Sequence, residues 1–126
     1  MSGLRVGVDL VQTSRIAESI ATFGDKFVKR VFTDDEIAYA SSAPEMAAMR
    51  FAARFAAKEA VKKALELDGV AWRDIEVARR ASGACDVVLH GAARAAADAM
   101  GARLALSMSH EGDYATAMVV ASCERS

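Results

Sequence analysis

The strongest constraint on this chain is a change of hydrophobic period along its length. Between residues 14 and 67 the apolar positions recur at helical spacing; from residue 73 onward they mostly alternate. A strand comes first: residues 4–11 place Val6, Val8 and Leu10 on one face and Arg5, Gly7 and Asp9 on the other. An amphipathic helix begins near Ser14, with Ile16, Ile20, Phe23 and Phe27 on one stripe; Gly24 weakens it near its end. Thr33-Asp34-Asp35-Glu36 reads as a capping box that starts a short helix to about Ser41. Pro44 suits the first turn of a third helix running to Leu67, where Asp68-Gly69 stops it. Ile75 and Val77 then alternate, Ser82-Gly83-Ala84 turns, and Val87-Val88-Leu89 returns. An alanine-rich helix follows from Gly91 to Met100. Leu104, Leu106 and Met108 alternate again, Glu111-Gly112-Asp113 turns, and residues 114–121 form the last strand. Short turns between consecutive strands require antiparallel pairing. The predicted class is therefore α+β, an antiparallel sheet packed with helices in the order β-α-α-α-β-β-α-β-β.

No proline-rich or glycine/serine-rich linker interrupts the sequence, so residues 1–126 read as a single domain, long enough to bury a core unaided. Sixteen basic and 17 acidic side chains leave a formal charge of −1, without the electrostatic signature of a general nucleic-acid binder. No apolar run approaches the roughly 20 residues that span a bilayer. Arg5 and Asp9 interrupt the first apolar stretch, unlike a signal peptide, and a cytoplasmic location is expected. Cys85 and Cys123 form no CxxC or Cys/His cluster, which excludes a zinc site. One disulfide is possible in principle; two reduced packing thiols are the expected reading. Neither a Walker A loop nor G-x-G-x-x-G is present, which argues against a P-loop hydrolase or a dinucleotide-dependent oxidoreductase.

Three groups of residues carry chemical potential. On the third helix Arg54, Lys58 and Lys62 lie four apart, beside an i, i+4 pair of Glu59 and Lys63. Such a stripe is usually a solvated face, yet the alanines around Glu59 let a neighbouring element approach closely. Asp9 interrupts an apolar strand; it either faces water, caps a helix, or is buried and paired or bound to a cation. Asp9 and Glu59 together would suit Mg²⁺, which takes one or two carboxylates and leaves room for phosphate and water. Ser107-Met108-Ser109-His110 ends a strand. It has no nucleophile elbow, and adjacent strand residues point apart, so a Ser-His acyl-transfer dyad is not supported. A lone histidine such as His110 is more often structural.

Gly7-Val8-Asp9-Leu10-Val11, Arg54-Phe55-Ala56-Ala57-Lys58-Glu59-Ala60, Arg73-Asp74-Ile75-Glu76-Val77 and Ser107-Met108-Ser109-His110 occur in this order across nearly the whole chain. In this it resembles the small phosphopantetheinyl transferases. The resemblance implies an α+β fold and a Mg²⁺-dependent transfer of phosphopantetheine from coenzyme A to a serine of an apo acyl carrier protein, releasing adenosine 3′,5′-bisphosphate. By motif, Asp9 and Glu59 are the implied metal ligands, Glu59 and Lys63 the catalytic residues. Lys58, Lys63, Gly83, Ser109 and His110 are implied near coenzyme A; Arg15, Lys26, Lys29 and Arg30 are implied to receive the carrier protein. Either Glu59 or a water takes the proton from the attacking serine. A homotrimer with sites between subunits is implied, with no nucleic-acid or membrane partner. The family's Gly-x-Pro turn reads Gly83-Ala84-Cys85 here. Two other readings stay open: a trimeric scaffold without activity, and a different Mg²⁺-dependent nucleotide or phosphate enzyme.

Overall fold

Alanine lets helix and sheet meet almost backbone to backbone here, and that contact organises the molecule. The computed structural model describes residues 2–124. Its elements are β1 (Ser2–Gln12), α1 (Thr13–Phe23), α2 (Asp25–Val31), α3 (Asp34–Ser41), α4 (Ala47–Leu65), β2 (Ile75–Arg79), β3 (Cys85–Leu89), α5 (Gly91–Met100), β4 (Ala102–Glu111) and β5 (Tyr114–Glu124). Short 3-10 turns at Pro44–Met46 and Trp72–Asp74 precede α4 and β2. The class is α+β and the order is the expected one, with the first expected helix divided at Gly24. That glycine adopts φ 58°, which breaks the helical run into α1 and α2. The capping box at Thr33 and Glu36 is formed in both directions.

The strands form two antiparallel sheets, β1-β5-β4 and the hairpin β2-β3. In the larger sheet Gly7 pairs with Val119 and Asp9 with Ala117 on one side of β5; Leu106 and Met108 pair with the same two residues on the other. Its inner face carries Val11, Ala115, Ala117, Val119 and Ala121, all buried. Across this face lies α4, whose Ala52, Ala53, Ala56, Ala57, Ala60 and Ala64 are also buried. Contact is so close that a Cβ on Gly7 would stand 2.0 Å from the Ala60 carbonyl oxygen. Packing of this kind fixes which side of β1 faces inward. Arg5, Gly7 and Asp9 turn toward α4, while Leu4, Val6, Val8 and Leu10 are 57–78% exposed on the outer face.

α4 ends at Leu65, two residues short of the expected Leu67. Glu66 closes it in the left-handed conformation (φ 52°), with its amide bonded back to the last turn. Among the described residues, no helix is long and apolar enough to cross a membrane.

Candidate active site

Asp9 and Glu59 are 50 positions apart in sequence and border one cavity of about 550 Å³, together with Arg15, Gln12, Phe55 and Tyr114. Asp9 reaches it from β1, Glu59 from the turn of α4 that Gly7 touches. The Asp9 side chain is only 18% exposed and is not left unpaired: Lys63 Nζ donates to its Oδ1 at 3.2 Å and to the Val8 carbonyl at 3.0 Å. The Lys63 ammonium thus pairs with Asp9 across the fold rather than with Glu59 along the helix.

This donor set fits a hard divalent cation. It offers two carboxylates at one cavity, one of them oriented by an ammonium, and no group of three or more His, Cys, Asp or Glu among the described residues could enclose an ion. Mg²⁺ suits such a half-shell, because it keeps positions for phosphate oxygens and water.

A second cavity, of about 240 Å³, is bordered by Gly83, Ser109 and His110, three of the residues expected near coenzyme A. It shares no lining residue with the first. Three arginines crowd it. Arg50, Arg54 and Arg79 place their guanidinium carbons 4.2, 4.5 and 5.3 Å from the centre of the Tyr39 ring. Arg54 is 4% exposed, and burial holds its pKa below the ordinary arginine value. In the sequence Arg54 stands out in the charged stripe and in the Arg54–Ala60 motif, whereas nothing marks Arg50 or Arg79 as site residues. Arg50 and Arg54 are four apart on α4, but no local spacing connects them to Arg79; the Tyr39 ring brings the three together.

Lys58 lies elsewhere. Expected near phosphate, it is instead fully buried, paired with Glu36 at 2.8 Å and donating to the carbonyls of Trp72 and Ile75. Burial lowers its pKa, and the Glu36 charge opposes that shift. Glu36 meanwhile accepts from the amides of Thr33 and Val77, so one carboxylate serves helix cap, strand and ammonium. Next to this pair, burial would raise Glu76, but hydrogen bonds from His90 and Thr33 outweigh it and hold the carboxyl below its ordinary value. The basic stripe of α4 is not the usual solvated face: Arg54 and Lys58 are buried, and the half-buried Lys62 sets its ammonium 3.5 Å from the centre of the Trp72 ring.

Arg15 is exposed on α1, beside the first cavity, and Lys26, Lys29 and Arg30 are exposed on α2, next to an exposed Phe23. The turn between β4 and β5 caps α1. Asp113 accepts from the Ser14 amide at 3.0 Å and from its hydroxyl at 2.6 Å, while its carbonyl accepts from Thr13 at 2.7 Å. That cap sits 99 residues away in sequence and gave no local signal. Both cysteines are free thiols, Cys123 buried and Cys85 half-buried at the second cavity.

Known proteins share this fold. A holo-[acyl-carrier-protein] synthase of Koribacter versatilis is 47% identical over 121 residues, covering 93% of this chain and 96% of the relative. The solved complex of a Chronobacterium ammoniagenes ACPS with CoA superposes with a TM-score of 0.87 at 33% identity, covering 98% of this chain and 99% of that one. A Helicobacter pylori holo-[acyl-carrier-protein] synthase in complex with coenzyme A gives a TM-score of 0.80 at 28% identity, over 92% of this chain and 98% of that one. The model of the 4′-phosphopantetheinyl transferase superfamily matches residues 5–119, a span that holds Asp9, Glu59, Lys63, Ser109 and His110. With the fold, the paired carboxylates and the sequence match in agreement, the chain belongs to the 4′-phosphopantetheinyl transferase superfamily.

Proposed function

We propose that this chain is a holo-[acyl-carrier-protein] synthase, the whole of it working as one transferase domain. It moves phosphopantetheine from coenzyme A to a serine of an apo acyl carrier protein and releases adenosine 3′,5′-bisphosphate. The observation that carries this reading is the convergence of Asp9 and Glu59 on one cavity, with Lys63 fixing Asp9.

Phosphoryl transfer needs positioning and charge neutralisation more than covalent catalysis. When bound, Mg²⁺ supplies Lewis-acid stabilisation of the diphosphate. Asp9 and Glu59 are the residues to hold it. Lys63, pinned by the Val8 carbonyl, keeps its ammonium beside that site, where it offsets charge growing on the leaving phosphate. Glu59, or a water at the same site, takes the proton of the incoming serine. Arg50, Arg54 and Arg79 supply donors for the nucleotide phosphates, with Gly83, Ser109 and His110 at the same cavity. Arg15 and the α2 residues Lys26, Lys29 and Arg30 form the basic surface for an acidic carrier. Lys58 supports the site by holding α4 against α3 and β2, not by touching phosphate.

A homotrimer completes this reading. The outer face of the larger sheet leaves Leu4, Val6, Val8, Leu10 and Met118 exposed together, a patch of the kind that marks an interface. The two cavities are separate within one chain, so subunit packing is what would join the carboxylates of one copy to His110 of the next. Two unpaired thiols fit a cytoplasmic reaction.

The test is direct. Incubated with apo acyl carrier protein, coenzyme A and Mg²⁺, the protein should add the mass of phosphopantetheine to the carrier, as read by intact-mass spectrometry. No mass gain on any of several fatty-acid and polyketide carriers overturns the proposal.

A further inference from the structure

Arg54 is a buried cation short of an acceptor. It is 4% exposed, its Nε has no hydrogen-bond partner, and no carboxylate pairs with it among the described residues. Its remaining contacts are the face of the Tyr39 ring, 4.5 Å from the guanidinium carbon, and two long hydrogen bonds, Nη1 to the Arg50 carbonyl at 3.4 Å and Nη2 to the Cys85 sulfur at 3.9 Å. A thiol sulfur accepts hydrogen bonds poorly. A buried donor that lacks a good acceptor carries a desolvation penalty, and an anionic oxygen is the group that relieves it best. Cys85 is the side chain able to acquire one. Its half-buried sulfur borders the arginine-lined cavity and also a second opening of about 290 Å³ beside Arg80 and Ser107, so a small oxidant has two approaches.

We infer that Cys85 is a modification site: peroxide converts its sulfur to a sulfenate that Arg54 holds, which closes the cavity to phosphate groups. In the step, the Cys85 thiolate attacks one oxygen of hydrogen peroxide. The S–O bond forms, the O–O bond breaks and hydroxide leaves, giving the sulfenic acid; that hydroxide takes the S–OH proton, leaving sulfenate and water, with sulfur oxidised by two electrons and peroxide reduced. The new oxygen takes the Arg54 donors, and a thiol reductant restores the cysteine. Cys123 is the built-in comparison, buried on the inner face of β5 and outside each cavity described above.

The consequence for coenzyme A rests on the function proposed above; the chemistry at sulfur does not. The reduced, folded protein is treated with hydrogen peroxide and dimedone, and the labelled peptides are read by mass spectrometry. Binding of adenosine 3′,5′-bisphosphate is measured by calorimetry before oxidation, after it, and after dithiothreitol. We expect the label on Cys85 and not on Cys123. Affinity should fall at least about tenfold, the factor for losing one charge-assisted hydrogen bond, and then recover with the reductant. Cys85→Ala, compared with its own untreated sample, should show no peroxide-dependent loss. Equal labelling of both cysteines, no label on Cys85, or unchanged affinity with Cys85 labelled overturns the inference. If the reduced protein binds no nucleotide, the coenzyme A reading fails, and the labelling of Cys85 against Cys123 still decides the sulfur chemistry.

Discussion

Gly7→Ala adds a single methyl group, and the structure makes it one of the costliest changes available. The added carbon would stand 2.0 Å from the Ala60 carbonyl oxygen, 2.8 Å from the Ala64 nitrogen and 3.0 Å from the Ala60 carbonyl carbon. Ordinary non-bonded contacts between heavy atoms lie near 3.5 Å, so strand and helix must separate by more than about 1 Å. All three clashing atoms are backbone, and no side-chain rotation relieves them. Overpacking of a dense core typically costs about 1–3 kcal/mol, and a clash with main chain belongs at or above the top of that range. At about 3 kcal/mol a domain of this size should lose roughly 10 °C or more in Tm. Activity should fall further than the unfolded fraction accounts for. Gly7 lies two residues from Asp9 on the same face of β1, and Ala60 follows Glu59, so the displacement widens the gap between the two carboxylates. Thermal and urea unfolding followed by circular dichroism measure the first effect; phosphopantetheine transfer well below the variant's Tm measures the second. Gly3→Ala is the control, since nothing lies within 4 Å of its added carbon, and it should stay within about 0.5 kcal/mol of the parent. A Gly7→Ala protein as stable and as active as that control would refute the backbone-contact argument.

Lys58→Met leaves Glu36 buried without its cation and should cost about 3–5 kcal/mol by urea unfolding. Adding Glu36→Gln should recover part of that loss, whereas a stable single variant would show that the pair is not what the core depends on. Glu76 is held below its ordinary carboxyl pKa, so its contribution is present above the unfolded-state value and fades as pH falls through the lowered one. Glu76→Gln should therefore lose stability at pH 7 and show a flatter decline on acidification than the parent, and parallel stability curves would count against the His90–Glu76–Thr33 linkage. Asp9→Ala and His110→Ala should each be inactive alone. Co-expressed, they should regain transfer at about a quarter of their sites, the chance that random mixing across a head-to-tail interface brings intact partners together. No recovery in demonstrably mixed assemblies would place both residues in sites made by one chain.

Local signals carried much of this structure. The capping box at Thr33, the two hairpin turns and the run of alanines each fixed an element because the chemistry that forms it lies within a few residues. Asp9 and Glu59 were legible as a pair because each breaks an otherwise apolar or small-residue surface. What escaped was settled across the fold. Alternation separates the two faces of β1 without saying which is inside; the alanine surface of α4 decides that, by demanding Gly7 rather than Val6 or Val8. An i, i+4 series of basic residues looks the same whether solvated or buried. Glu36, 22 positions before Lys58, makes the difference, and its capping role hides the second one. Arg79 joins Arg50 and Arg54 through the Tyr39 ring, which no local spacing announces.

The bare outer side of β1 has a consequence for how the protein must be handled. Leu4, Val6, Val8 and Leu10 are exposed in the single chain, and in the homotrimer proposed above another copy covers them, which ties activity to concentration. Specific activity should accordingly drop on dilution and rise again on concentration, so a rate constant measured at one enzyme dose would describe the dose as much as the enzyme.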